Sequence, residues 1–253
     1  MRDASQRDGR VLPTVKELFD PGSVSRPLSL RFRDRDLEDA FQTAYYRDNL
    51  FFIRFAHVVG VGIWFGFFAV AAIAHTPDLV GLSLRILAGL AVVLTSLACS
   101  YARWFPPRWS RVVATAHLLT ALILISLYLQ ISGEDPAADW GYAAVMGLMA
   151  FTFFVSRLQM RIAAVVAVGM IVGYDALVIP FTDDTFQQLL YANYFLVAFV
   201  AVNTVAAYSL ERATRLLWLR ERDVDRERRR ADDLLANTLP AAIIGHLLSL
   251  IHI

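Results

Sequence analysis

Six apolar stretches, at residues 55–75, 86–100, 112–131, 141–156, 162–180 and 189–209, restrict this chain more than any other feature. Crossing about 30 Å of hydrocarbon at about 1.5 Å per residue takes roughly 20 apolar residues in a helix. The second and fourth stretches are short and are expected to borrow flanking residues such as Leu84 and Trp140. Hydrophobic residues make up 57% of the chain and charged residues 19%. Soluble domains average about 45–50% and about 25%, so both values point to a membrane protein. The expected fold is all-α: a polytopic bundle of six transmembrane helices.

Loop charge orients the spans. The net charge of +1 conceals a segregation, because most of the 24 Lys and Arg residues lie before residue 55 or after residue 209. Of the rest, Arg103, Arg108 and Arg111 fall between the second and third spans, and Arg157 and Arg161 between the fourth and fifth. Segments 76–83, 132–140 and 181–188 contain no Lys or Arg; Arg85, at the start of the second span, is the one ambiguous charge. Basic loops stay cytoplasmic, so the alternation predicts six spans with both termini in the cytoplasm. Trp104, Trp109 and Trp140 fall at the predicted interfaces, where amphipathic rings belong.

The flanks divide further. Residues 1–35 are polar, show no signal peptide and read as a disordered cytoplasmic tail. Residues 36–54 place Leu37, Phe41, Tyr45 and Phe51 on one face of an amphipathic helix feeding the first span along the inner membrane surface. The transmembrane domain occupies residues 55–209. Residues 210–237 form a charged helix in which Leu210, Leu217, Val224 and Ala231 recur every seven residues. With Ala213 and Leu234 they define a candidate homodimer seam, apolar at both ends and polar in the middle at Arg220 and Glu227. Glu211–Arg215, Asp225–Arg229, Asp223–Arg226 and Glu227–Arg230 stand at helical ion-pair spacing. Residues 238–253 read as a transducer linker.

No catalytic constellation is present: the chain has no Gly-rich phosphate loop, Cys/His metal cluster or nucleophile elbow. No nucleic-acid partner is expected. The single cysteine, Cys99, reads as a small buried hydrophobe. His57 and His117 fall inside spans and are expected to face the bundle interior, bonded across helices. Asp175, in the outer third of the fifth span, can join Glu134, Asp135, Asp183 and Asp184 in an acid-rich outer rim. That rim is a candidate site for a divalent cation or a cationic small ligand; positive-inside sorting also leaves outer loops acidic without any ligand. Gly62-x3-Gly66 and Gly169-x3-Gly173 allow close helix packing.

The charged helix runs into "RADDLLANTLP", residues 230–240, with Ile243, Ile244 and Leu247 beyond. Pro240 lacks an amide donor and disfavours helix at Leu239, and Asn237 can cap a new turn there, so a transducer break is expected. This linker, together with "LRFRDRDLEDAFQTAYYRDNLFFIRFA" before the first span, resembles the membrane-anchored class III nucleotidyl cyclases of bacteria. The likeness is to the mycobacterial and actinobacterial adenylate cyclases with one six-helix domain. The resemblance implies a bacterial plasma membrane and a homodimer. It also implies a catalytic domain, absent here, that converts ATP to cyclic AMP and pyrophosphate with Mg or Mn. The terminal "LSLIHI" reads as the translated end of a sequencing-library transposon, so the natural chain is expected to continue past Leu247. The membrane input half of a histidine kinase or a diguanylate cyclase, and a small transporter, are the alternative readings.

Overall fold

The computed structural model of the protein describes residues 30–73, 79–131, 141–181 and 186–238. All regular elements among them are helical. Helix α1 (Arg35–Ile73) is followed by α2 (Leu79–Cys99), a 3₁₀ turn (Pro106–Arg108) and α3 (Trp109–Ile131). Next come α4 (Gly141–Ala150), which passes into a π-helical turn (Phe151–Val155), then α5 (Met160–Val178) and α6 (Phe186–Thr238). Five of these helices, α1, α2, α3, α5 and α6, are long and apolar enough to cross a membrane. The fourth apolar stretch, Tyr142–Val155, is shorter; at about 1.5 Å per residue it falls below the roughly 30 Å of hydrocarbon.

Local chemistry sets where these helices begin and turn. Asp34 Oδ1 accepts the Asp36 amide at 2.9 Å and caps the start of α1. No break separates the amphipathic residues 36–54 from the first apolar stretch: α1 is one uninterrupted helix across that boundary. Between α4 and α5 the chain reverses at Arg157, whose φ of 57° is the left-handed value common just past a helix end. The first amide of α5, on Met160, has no partner within its own helix and donates to Glu211 Oε2 at 2.9 Å.

The chain divides into two units, one comprising Gln42–Glu211 and the other Met1–Phe41 with Arg212–Ile253. In the first unit, α5 shows how sequence becomes packing. Ala163, Val166, Ala167, Met170, Tyr174 and Val178 are buried at helical spacing, while Val165, Val168 and Val172 on the opposite face are exposed. A helix apolar on both faces fits a bundle whose outer side meets lipid rather than water. Phe51 stacks on Phe55 at 6.2 Å, and both rings are exposed on the surface of α1.

Four connections meet at one end of this unit. Tyr45 donates its hydroxyl to the Arg157 carbonyl at 3.0 Å, and Gln159 Nε2 donates to Gln42 Oε1 at 2.6 Å. Arg54 donates to the Ser100 carbonyl at 3.1 Å and lies 3.9 Å over the Tyr101 ring. Met160 meets Glu211 at the same end. The approach to the first apolar stretch, the two Arg-bearing turns and the point where α6 leaves its apolar part are therefore neighbours. Arg85, ambiguous in sequence, donates to Gln130 Oε1 on α3 at 2.5 Å.

The two glycine pairs separate cleanly. A Cβ on Gly169 or Gly173 would sit 2.9 Å from a Leu118 or Leu122 methyl, so this pair lets α5 close on α3. A Cβ on Gly62 or Gly66 meets nothing within 4 Å. Gly173→Leu is accordingly expected to destabilise the fold by about 1–3 kcal/mol through overpacking. Gly62→Leu should leave the chain's own packing unchanged. Thermal midpoints in detergent check both, and equal shifts would contradict the assignment.

In the second unit, the described start of α1 and the charged part of α6 share a small aromatic core. Arg215 donates to both Glu38 carboxylate oxygens, at 2.8 and 3.2 Å. The two side chains are only 4% and 13% exposed. Glu38 also accepts the Phe32 amide at 3.0 Å. The guanidinium lies 4.2 Å over the Phe41 ring, and Trp218 meets Phe41 edge-on at 5.4 Å.

Candidate functional site

A cavity with polar groups in its wall lies among α1, α2, α3 and α4 in the unit Gln42–Glu211. It is made by small residues facing one another. Ala56 and Gly60 on α1, Ala116 on α3, and Ala144 and Gly147 on α4 leave a cavity of about 300 Å³. Trp64, Phe67, Leu124 and Phe151 give it an apolar wall, and no Asp, Glu, Lys or Arg lines it. Ile63 lines it too and is 49% exposed, so the cavity opens on the outer face of the bundle. Phe151 begins the π-helical turn at the end of α4, and such turns recur at functional sites.

Three polar side chains enter the wall: His57, His117 and Thr120. His57 Nδ1 is 2.6 Å from the Ile53 carbonyl, which can only accept, so in the neutral ring that nitrogen carries the proton. Its Nε2 then accepts from the Ser96 hydroxyl at 2.7 Å, and α1 is joined to α2 through a fully used imidazole. The bond across helices expected for His57 is present. His117 is different: its Nδ1 donates to the Val113 carbonyl of its own helix at 2.8 Å, and its ring packs 5.8 Å from Phe151.

Of the residues singled out from sequence, His57 and His117 line this cavity; the other described candidates do not. Asp175, half-buried, accepts from Asn193 Nδ2 of α6 at 2.9 Å, which accounts for a carboxylate in that span. Glu134, Asp135, Asp183 and Asp184, the other members of the acid-rich rim, lie outside the described residues. Among the described residues no group of three or more His, Cys, Asp or Glu is placed to hold a metal ion. Leu210, Ala213, Leu217, Val224, Ala231 and Leu234 are all exposed along α6. Of the ion pairs expected there, Arg230 donates to Glu227 at 2.8 Å. Asn237 lies in the last turn of α6, while Leu239 and Pro240, the break itself, lie outside the described residues.

Sequence reasoning passed over two features: the cavity and the Glu38–Arg215 pair. The first had a signal, the coincidence of small residues on three apolar stretches, but its meaning depends on which helices become neighbours. Compared with family models, with curated proteins and with solved structures, the chain matches none.

Proposed function

We propose that this chain is the membrane anchor, dimerisation and sensor region of a class III adenylate cyclase. It spans the membrane six times with both termini cytoplasmic, α4 completing the set with its flanking residues. The observation that carries the reading is the meeting of Tyr45 with Arg157, Arg54 with Ser100, and Met160 with Glu211 at one end. That end holds the arginine-bearing turns, which belong in the cytoplasm. The charged helix after Glu211 then leaves on the side where a nucleotide-dependent output has its substrate. Its exposed heptad positions support a seam for a second copy, and the "RADDLLANTLP" phrase supports a cyclase as the cargo. The complete enzyme would convert ATP to cyclic AMP and pyrophosphate with Mg or Mn, in the catalytic domain rather than here. A cation or cationic ligand on the outer rim around Asp175 would be a signal it receives.

The test joins residues 1–247 to a class III catalytic domain whose active site forms between two copies. At equal dilute concentration the fusion should exceed the free domain by about tenfold or more, because tethered domains experience a raised effective concentration. Leu217→Glu with Val224→Glu should remove that gain without disturbing the chain's own packing, since both are exposed. A fusion no more active than the free domain would overturn the dimerisation reading. Cysteine placed at Arg228 should be labelled only after the cells are opened; labelling in intact cells would overturn the topology.

A further inference from the structure

The cavity among α1, α2, α3 and α4 contains two polar atoms whose bonding capacity is unspent. His117 is 8% exposed, and its Nδ1 must carry the ring proton, because the Val113 carbonyl can only accept. The neutral ring leaves Nε2 as an acceptor, and among the described residues nothing donates to it. Thr120, one turn further along α3 and 9% exposed, lines the same cavity. Its hydroxyl also has no hydrogen-bond partner among the described residues, whereas Thr152 donates to the carbonyl one turn back at 2.8 Å. Residues three apart on a helix are surface neighbours, so the two atoms face one region of the wall. Buried polar groups in hydrocarbon are costly to leave unbonded, and a native structure normally supplies a partner.

The chemistry of that partner is specified by the pair. Nε2 requires a donor; the threonine hydroxyl can give or take. A single hydroxyl satisfies both, donating to Nε2 and accepting from Thr120 Oγ, whereas an ether or a carbonyl leaves the imidazole unbonded. A carboxylate or ammonium would need a countercharge, and none lines the wall. The volume of about 300 Å³ is at the lower end of small-molecule sites and about twice that of an engineered dry cavity that takes benzene. It therefore suits one compact ring system or short chain. We infer that this cavity binds a small, uncharged, apolar molecule carrying one hydroxyl, held by His117 and Thr120 and reached from the lipid side past Ile63. Binding of this kind needs no cyclase output and is measured on the chain alone.

The experiment uses the full chain in lipid nanodiscs with a photoreactive benzyl alcohol bearing an aryl trifluoromethyl diazirine, followed by peptide mapping. Adducts are expected on Trp64, Leu124 and Phe151 rather than on outward-facing Val165 or Val202. Unlabelled 1-naphthol should compete at about tenfold lower concentration than 1-methoxynaphthalene, the worth of one buried hydrogen bond. His117→Phe should bring the two competitors to equal potency while keeping a ring in place. Gly147→Leu should abolish the cavity adducts, because a Cβ there meets no atom within 4 Å and its side chain grows into open space. Should His117→Phe fail to fold, Thr120→Val, nearly isosteric, must still reduce the preference for 1-naphthol severalfold. Equal competition in the unaltered chain would overturn the inference, as would adducts spread evenly over the lipid face. A cavity holding only water or lipid tails gives one of those two results.

Discussion

Arg215→Ala is expected to release residues 30–41 from the charged helix, raising amide hydrogen exchange there by two to three orders of magnitude or to the unprotected rate. The guanidinium makes two hydrogen bonds to Glu38 and stacks over Phe41, and the pair is nearly closed to solvent. Surface ion pairs are worth about 0–1 kcal/mol. Removing one partner of a buried pair costs about 3–5 kcal/mol, mostly because the survivor is left charged and unpaired. Here the survivor is Glu38, which keeps the Phe32 amide as a donor but loses the charge that balanced it. Arg215→Lys should recover little, since an ammonium cannot reproduce the two-pronged contact or the stacking. The double variant Glu38→Leu with Arg215→Met should recover most of the protection, because an apolar pair of similar volume removes the desolvation penalty altogether. Wild-type protection of residues 30–41 in Arg215→Ala would show that the aromatic contacts of Trp218 hold this segment unaided.

That pair also marks where sequence reading stops. Glu38 and Arg215 are 177 residues apart, and helical spacing rules register only neighbours three or four positions away. Spacing alone could not show that Arg215 has a buried partner on another helix or that Glu211 accepts the first amide of α5. The helices themselves were legible, because hydrocarbon leaves the backbone few options and apolar length is a local property. The continuity of α1 was not. Its pattern changes near residue 54 because its surroundings change, and neither glycine nor proline interrupts residues 36–59 to end the helix. The glycine pairs teach the same lesson. Gly62-x3-Gly66 and Gly169-x3-Gly173 read alike, but only the second meets a neighbouring helix, and which it meets is a tertiary fact. His57 and His117 likewise read alike as intramembrane histidines. What separates them is Ser96, placed opposite one and not the other.

Gly89→Ala is expected to cost about 3 kcal/mol, more than most single methyl insertions, and Gly89→Val at least as much. An added Cβ at Gly89 would fall on the six-membered ring of the Trp64 indole, so the collision involves the first atom of any side chain and cannot be avoided by choice of rotamer. Trp64 is 3% exposed, packed with Leu82, Ile86, Val93, Leu124 and Leu127, and tilted against Phe67 at 6.1 Å. A ring enclosed on that many sides must leave rather than shift. In lipid the expelled ring loses little by transfer, because acyl chains are as apolar as the core; the cost is lost van der Waals contact between α1 and α2. Trp64→Ala should therefore be comparably destabilising by leaving a void, at about 3–5 kcal/mol or somewhat less in a bilayer. The double variant Gly89→Ala with Trp64→Leu should be more stable than the sum of the single changes predicts, with a coupling of about 1–3 kcal/mol. Thermal midpoints of the four proteins in one detergent measure it. Additive effects would mean that the indole does not rest on Gly89, and the wall of the cavity beside Trp64 would have to be redrawn.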